Sequence, residues 1–216
     1  MQIIPSILVQ TSEDLKSQLQ SLGKSVSRVQ IDIADGIFVD NTTISDPETV
    51  QKYYESEVEL HLMVSQPLKE LIKWQKVEQV VKVLIHIESV KNLHDIMPTL
   101  HAYGWKIGIV LNPETDIKVL DEYINDIKGV MFMGVNPGKQ GQKLLSKVLT
   151  NIKKFKTKYP HIFVELDGGV NEKNLEKITD TGVDAICPGS AIFGNENSPS
   201  QNVKTMKKII NSLTKK

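Results

Sequence analysis

Apolar, β-branched runs alternate with amphipathic helical stretches eight times along this chain, and this alternation constrains the fold more than any other feature. A strand that is followed by a helix and then by another strand forms a parallel βαβ unit. The predicted strands fall at residues 3–9, 29–34, 58–64, 80–87, 106–111, 129–133, 162–167 and 185–188. Eight such units in 216 residues predict an α/β fold, a (β/α)8 TIM barrel that occupies residues 1–216 as one domain.

A doubly wound open sheet is the alternative fold for the same alternation. That fold normally carries a glycine-rich dinucleotide-binding turn directly after its first strand. Residues 9–12 are Val-Gln-Thr-Ser and contain no glycine. The sequence therefore favours the closed barrel over the open sheet.

Charge and cysteine content narrow the classes of function. The chain has 26 basic and 26 acidic residues, so no overall field attracts nucleic acid or an anionic membrane. No segment approaches the roughly 18 consecutive apolar residues of a membrane span, and no charged region precedes a long apolar one at the N-terminus, so a cytoplasmic location is expected. The lone Cys187 lies in an apolar run, which is typical of a small buried hydrophobe, and it has no partner for an internal disulfide.

Two aspartates and a histidine lie within or at the end of apolar strands. Asp32 follows Ile31, His61 lies between Leu60 and Leu62, and Asp167 ends its strand. Each alone is more often structural, because strand-end aspartates cap turns and a histidine in an apolar run is usually a satisfied core residue. A barrel gathers the C-terminal ends of its strands at one mouth, so the three together indicate a site. The other polar residues at predicted strand ends are Ser6, His86 and Ser190.

Three glycine-bearing loops follow late strands of the predicted barrel. They are Gly138-Lys139-Gln140-Gly141, Gly168-Gly169 and Gly189-Ser190. Glycines let backbone N–H groups approach an anion closely, and the loops after strands seven and eight are the common phosphate site of such barrels. The sequence therefore predicts a small phosphorylated substrate.

Seven motifs are spread in order over nearly the whole chain. They are residues 5–8 (PSIL), 32–39 (DIADGIFV), 61–64 (HLMV), 86–88 (HIE), 136–138 with 141–143 (NPG, GQK), 167–169 (DGG) and 189–193 (GSAIF). Together they closely resemble the ribulose-phosphate 3-epimerase family. The resemblance implies a ribulose-phosphate-binding barrel that reversibly inverts carbon 3 between D-ribulose 5-phosphate and D-xylulose 5-phosphate in pentose phosphate metabolism.

The resemblance also implies roles for individual residues. Asp32 and Asp167 would act as the two acid/base groups, one on each face of carbon 3. A divalent cofactor (Zn, Mn, Mg or Fe) would be held by these two aspartates and His61. The residues implied in substrate binding are Ser6, His61, Met63, Gly138, Lys139, Gln140, Gly141, Gly168, Gly169, Gly189 and Ser190. The surface helices of such barrels often mediate assembly, and the sequence leaves a homo-oligomer open.

Three departures from the family pattern cluster in the predicted site. Gln30 stands where the family has a metal-binding histidine, and its neutral amide oxygen is a weak ligand for zinc but suits Mg²⁺ or Mn²⁺ better. Ala34 replaces a methionine of the apolar wall near the reacting carbon. Lys139 and Gln140 replace Phe-Gly in the phosphate loop, so one glycine contact is lost and a cation is gained.

These departures leave three further interpretations open. Ala34 would leave room for a six-carbon ketose phosphate such as allulose 6-phosphate. Gln30 would suit a barrel that binds sugar phosphates without turning them over. A lyase of the related decarboxylase and hexulose-phosphate synthase barrels is disfavoured, because Ala34 occupies the lysine position of their D-x-K-x-x-D arrangement.

Overall fold

The sheet at the centre of the molecule is parallel in all its strand pairs and closes on itself. The computed structural model describes residues 1–214, and the last two residues of the predicted domain, 215 and 216, lie outside it. The strands are β1 (Gln2–Ile3), β2 (Ser6–Ile7), β3 (Arg28–Ala34), β4 (Glu57–Met63), β5 (Val80–His86), β6 (Lys106–Leu111), β7 (Gly129–Met133), β8 (Phe163–Asp167) and β9 (Ala185–Cys187). Their order is β1-β9-β8-β7-β6-β5-β4-β3-β2.

The first predicted strand is split into two short pieces that close the barrel. β1 pairs with β9 and β2 pairs with β3, while Ile4 and Pro5 lie between the two pieces. Pro5 has no N–H to donate to a ladder, yet its carbonyl accepts from Gln30 N at 2.9 Å. The two pieces act as one interrupted barrel strand, so the nine segments form the predicted eight-stranded barrel.

The helices surround this sheet. They are α1 (Ser12–Leu22), α2 (Pro47–Tyr53), α3 (Pro67–Leu71), α4 (Met97–Ala102), α5 (Ser146–Lys158), α6 (Leu175–Thr179), α7 (Ser190–Phe193) and α8 (Pro199–Leu213). Side-chain caps start several of them: Thr11 accepts from Asp14 N, and Asp46 accepts from Thr49 N with Pro47 in the first turn. No helix within residues 1–214 is long and apolar enough to cross a membrane.

Local sequence sets the bounds of the helical connections. The connection between β6 and β7 is a 3-10 helix, Ile117–Glu122. The last helix begins at Pro199, because Ser198 and Gln201 form a capping box there. The four-residue helix α7 begins at Ser190, directly after Gly189.

Two separate apolar clusters follow from the alternation of side chains along each strand. Ile31 and Ile33 belong to the cluster that fills the space between sheet and helices. A smaller cluster fills the barrel itself; its members are Ile4, Leu84, Val110, Met131, Met133, Val135, Ala185 and Cys187. Because strand periodicity is two, Gln30 and Asp32 point the opposite way from Ile31 and Ile33, into the barrel.

Charged side chains form the floor of the barrel, below this apolar layer. Lys82 on β5 makes an ion pair with Glu165 on β8 and lies 3.9 Å from Glu59 on β4, and all three residues are buried. Arg28 also approaches Glu59, and its Nη1 lies 3.5 Å from Glu59 Oε2. Burial and the nearby Glu165 raise the pKa of Glu59 to about 8. The floor is thus a buried charge network in which Lys82 lies between two carboxyl groups and Arg28 approaches one of them.

Candidate active site

Three strands deliver a buried Asp-His-Asp group to the C-terminal mouth of the barrel. Asp32 and His61 are register partners on β3 and β4, and Asp167 is the last residue of β8. His61 Nδ1 lies 2.8 Å from Asp32 Oδ1 and 3.3 Å from Asp167 Oδ2. One ligand atom from each residue lies within 4.8 Å of the others, so this group could hold a metal ion. The structure therefore brings together the three residues that the sequence singled out.

Gln30 contacts all three residues of this group from the side that faces away from the cavity. Its Nε2 donates to Asp32 Oδ1 at 2.7 Å and to Asp167 Oδ2 at 2.9 Å, and it lies 3.4 Å from His61 Nδ1. The opposite assignment of the amide would place its oxygen against two carboxylate acceptors, so the amide nitrogen faces the carboxylates. The amide oxygen, Oε1, is buried and has no hydrogen-bond partner. Here the Gln30 amide is a donor that bridges both aspartates, and its role as a weak metal ligand stays a prediction.

Burial and mutual contact shift the protonation of this group. Burial and the charge of Asp167 raise the pKa of Asp32, which moves it toward the range where a carboxyl both gives and takes protons. Burial opposes a charge on His61, but hydrogen bonds to Asp167 and Asp32 raise its pKa to about 10. In this state His61 is a cation between two carboxyl groups.

His86 supports His61 from the far side. The two Nε2 atoms are 2.9 Å apart, and the rings stack with their centroids at 5.1 Å. Burial lowers the pKa of His86 to about 4, so His86 is neutral and its Nε2 accepts the proton of His61 Nε2. The sequence placed His86 at a strand end but gave it no role, since contact between two histidines 25 positions apart requires the strand register.

A cavity at the barrel mouth is lined by every residue predicted to bind substrate. Asp32, His61 and Asp167 form one wall, and Met63 contributes to an apolar wall with Leu8, Met133 and Val135. The loop residues that line it are Gly138, Lys139, Gln140, Gly141, Gly168, Gly169, Gly189 and Ser190, together with Ser6. Cys187 also borders the cavity, although its side chain is buried. Gln30 and Ala34 are buried outside this lining.

Backbone conformation explains the glycines of these loops. Gly168 and Gly169 have φ of 96° and 72°, a region that side chains rarely adopt. A Cβ at Gly169 would also lie 2.6 Å from the backbone nitrogen of Leu144. At Gly189 a Cβ would lie 2.2 Å from Nε2 of Gln140, which covers this loop and donates to the Ser6 carbonyl at 3.3 Å.

Lys139 makes no ion pair among residues 1–214 and is an exposed cation at the cavity.

Asp35 fixes the loop that follows β3. Its Oδ1 accepts from Ile37 N and Phe38 N, both at 2.9 Å, and its Oδ2 accepts from Ser65 N at 2.7 Å and Ser65 Oγ at 2.8 Å. Burial opposes the charge, but these hydrogen bonds prevail and lower the pKa of Asp35 to about 2. The loop then brings the Phe38 ring to 4.8 Å from His86.

We expect Asp35→Ala to lower the free energy of unfolding by about 2 kcal/mol at pH 7, because hydrogen bonds to a charged group contribute about 1.5–3 kcal/mol and this one is partly solvated. The folded-state pKa is depressed, so the stabilisation is present above pH 4 and is lost as the pH falls toward 2. Urea unfolding at pH 7 and pH 3 measures both values. A loss at pH 3 as large as that at pH 7 would contradict the assignment to the ionised carboxylate, and Asp35→Asn separates charge from hydrogen bonding.

A closed parallel barrel whose mouth combines a buried Asp-His-Asp group with glycine-rich loops places the chain among the TIM barrels. Solved structures agree on the fold. The chain superposes on 3-hexulose-6-phosphate synthase from Salmonella typhimurium with a TM-score of 0.73, at 11% identity and covering 99% of this chain and 100% of that one. It superposes on orotidine 5'-monophosphate decarboxylase from Sulfolobus solfataricus with a TM-score of 0.66, at 14% identity and covering 99% of both chains.

Sequence comparison then identifies the family. The ribulose-phosphate 3 epimerase family matches residues 2–193, and the chain belongs to it. It is 30% identical to ribulose-phosphate 3-epimerase of Bacillus subtilis (strain 168) over 202 residues, which are 90% of this chain and 93% of that protein. It is 33% identical to ribulose-phosphate 3-epimerase of Helicobacter pylori (strain ATCC 700392 / 26695) over 201 residues, which are 89% and 91% of the two chains.

Proposed function

We propose that this protein is a ketose-phosphate 3-epimerase that interconverts D-ribulose 5-phosphate and D-xylulose 5-phosphate. The observation that carries the proposal is the convergence of Asp32 and Asp167 on one wall of a cavity whose other walls are apolar side chains and glycine loops. Family membership and relatives named ribulose-phosphate 3-epimerases support the same reaction. The substrate would be the small sugar phosphate alone, without a nucleic acid or membrane partner.

The two carboxyl groups would move the protons. Inversion at carbon 3 removes the proton α to the ketone from one face and returns a proton to the other face, so one carboxylate accepts and one carboxylic acid donates. The raised pKa of Asp32 suits a group that alternates between these states. Without a bound ion, His61 contacts both aspartates as a cation, so its positive charge would lie close to the enediolate that forms between the two transfers. As a metal ligand His61 would be neutral, and the ion would take over this charge.

A divalent cation fits the same group of residues. Asp32, His61 and Asp167 would hold it, since two carboxylates and one imidazole are ordinary ligands for such ions. When bound, the ion would supply Lewis-acid stabilisation of the negative charge on the enediolate oxygens. His86 would keep His61 oriented by accepting its Nε2 proton, which leaves Nδ1 directed at the aspartates.

The glycine loops would bind the phosphate at the other end of the cavity. Gly168 and Gly169 line it with backbone that carries no side chain, and Gly189 and Ser190 line it beneath the Gln140 amide. Lys139 adds a positive charge at the same end, and Ser6 offers a hydroxyl between the phosphate loops and the aspartates. Met63 and the other apolar wall residues would exclude water from the reacting carbon.

The test is incubation of Mn²⁺-supplemented protein with D-ribulose 5-phosphate in D₂O, followed by NMR of carbon 3. We expect xylulose 5-phosphate to appear with deuterium at carbon 3. Phosphate-free D-ribulose is the matched control and should react far more slowly, because binding of the phosphate contributes to positioning the carbon. Allulose 6-phosphate tests the six-carbon alternative that Ala34 suggests. Absence of exchange with both phosphates, in protein that binds them, would leave the non-catalytic interpretation.

A further inference from the structure

The amide of Gln30 occupies the place that a cation would need. Nε2 lies 2.7 Å from Asp32 Oδ1, 2.9 Å from Asp167 Oδ2 and 3.4 Å from His61 Nδ1, which are one atom from each candidate ligand residue. An ion bound to these atoms on the Gln30 side would lie close to this nitrogen, because metal–oxygen and metal–nitrogen bonds are about 2.0–2.2 Å long. An ion in that position and this orientation of the amide therefore exclude each other.

The other end of the amide is unsatisfied in its present orientation. Gln30 Oε1 is fully buried and no donor reaches it, which is costly for an amide oxygen. The register partner of Gln30 on β4 is Glu59, whose two carboxyl oxygens are also buried without a hydrogen-bond partner. Both side chains point into the barrel from neighbouring strands. The Gln30 amide oxygen and the Glu59 carboxyl thus come from paired positions on neighbouring strands, on the side of the site away from the cavity.

A half-turn of the amide would correct both defects when a cation is present. It would direct Oε1 to the ion as an oxygen ligand and direct Nε2 away from the ion, to the side of the amide that Oε1 now occupies. We propose that Gln30 is a two-faced positioning residue: its nitrogen holds the aspartates together without a cation, and its oxygen becomes the fourth ligand when a divalent cation binds. This inference rests on the proposed function, because the cation would serve that reaction. Cation binding itself can be measured without substrate.

The donor set makes a specific prediction about metal choice. With Gln30 the site offers two carboxylates, one amide oxygen and one imidazole, a set rich in the oxygen ligands that suit Mn²⁺ and Mg²⁺. Zinc binds nitrogen ligands more strongly than a neutral amide oxygen. The identity of residue 30 should therefore set the ratio of Zn²⁺ to Mn²⁺ affinity.

The experiment measures Mn²⁺ and Zn²⁺ dissociation constants by titration calorimetry on the chelator-treated full chain, without substrate. Gln30→Met keeps the length of the side chain and removes both amide faces. We expect it to weaken Mn²⁺ binding about tenfold or more, the scale on which ligand-supporting contacts act. We expect Gln30→His to raise the Zn²⁺-to-Mn²⁺ affinity ratio by a similar factor. The visible spectrum of bound Co²⁺ should differ between wild type and Gln30→Met, since it reports the ligand set.

Gln79 provides the matched control. Its Oε1 is also buried without a partner, but its Nε2 donates to the carbonyls of Tyr54 and Gln51, away from the site. Gln79→Met should leave both dissociation constants and the Co²⁺ spectrum unchanged. Thermal unfolding of each variant checks that it is folded, and Gln30→His retains a polar side chain should Gln30→Met fail to fold.

Two results would overturn the proposal. If Gln30→Met binds Mn²⁺ as tightly as wild type or more tightly, with the same Co²⁺ spectrum, the amide only competes with the ion and does not ligate it. If the wild-type protein binds no divalent cation, the amide oxygen of Gln30 cannot act as a ligand. Both outcomes are independent of epimerase turnover, so a failure of the proposed function is recognised separately by absence of carbon 3 exchange in cation-loaded protein.

Discussion

Replacing either Asp32 or Asp167 by asparagine is expected to stop epimerisation while leaving one half of the proton chemistry in place. Each carboxyl would serve one face of carbon 3, and a positioned acid/base group contributes about 10²- to 10⁴-fold. Asparagine keeps the size of the side chain and can accept the Gln30 or His61 hydrogen bond through its oxygen, but it cannot take up a proton. We therefore expect turnover to fall by about that factor in each variant.

Isotope exchange separates this mechanism from a single-base one. With one base removed, the remaining carboxyl can still take a proton from the epimer that presents its hydrogen to that face and return a deuteron to the same face. One variant should then exchange carbon 3 of ribulose 5-phosphate only, and the other should exchange carbon 3 of xylulose 5-phosphate only. Loss of exchange with both sugars in one variant and normal exchange in the other would contradict the two-base arrangement.

Strand ends could be predicted because their location depends only on the alternation of strands and helices. Once the chain was interpreted as a barrel, Asp32, His61 and Asp167 had to meet at its mouth, and the loops at Gly138 and Gly168 had to face them. Every residue predicted to bind substrate lines the cavity. The roles given to these residues come from the family resemblance, and those roles remain proposals.

Contacts across the barrel could not be predicted, because they depend on register and on side-chain rotamers. Gln30 is two residues from Asp32, but its bond to Asp167 joins positions 137 apart. The approach of His86 to His61 depends in the same way on how β4 and β5 are aligned. The split of the first strand at Pro5 also follows from closure, since β1 and β2 pair with strands from opposite ends of the chain.

The buried charge network at the floor of the barrel could not be predicted from the sequence either. Glu59, Lys82 and Glu165 each fall in a predicted strand and would ordinarily be taken as solvated positions, since charged residues are rarely fully buried. Their inward direction follows from the same period of two that directs His61 and Asp167 to the site two residues later on β4 and β8. The layer of charge therefore comes with the register that builds the site.

The second large effect that we expect concerns stability, and it falls on Lys82. Lys82→Met should lower the free energy of unfolding by about 3–5 kcal/mol, because it leaves the buried Glu165 without its ion-pair partner and leaves Arg28 as the remaining cation beside Glu59. Lys82 is buried, and it lies 3.9 Å from Glu59 Oε2 in addition to its ion pair with Glu165. A loss of this size is a large part of the roughly 5–15 kcal/mol that stabilises a typical domain.

A double-mutant cycle shows whether the loss of stability comes from a buried carboxylate that has lost its ion-pair partner or from lost packing. Methionine fills much of the lysine volume, so Lys82→Met together with Glu165→Met should recover part of the stability that Lys82→Met loses, since buried ion pairs replaced by apolar side chains often cost little. Urea unfolding of the wild type, both single variants and the double variant gives the coupling. Lys158→Met is the matched control, because Lys158 pairs with Asp121 at 2.6 Å on the surface, where water screens the pair. Equal effects of Lys82→Met and Lys158→Met, or strictly additive effects in the cycle, would show that the floor charges do not depend on one another.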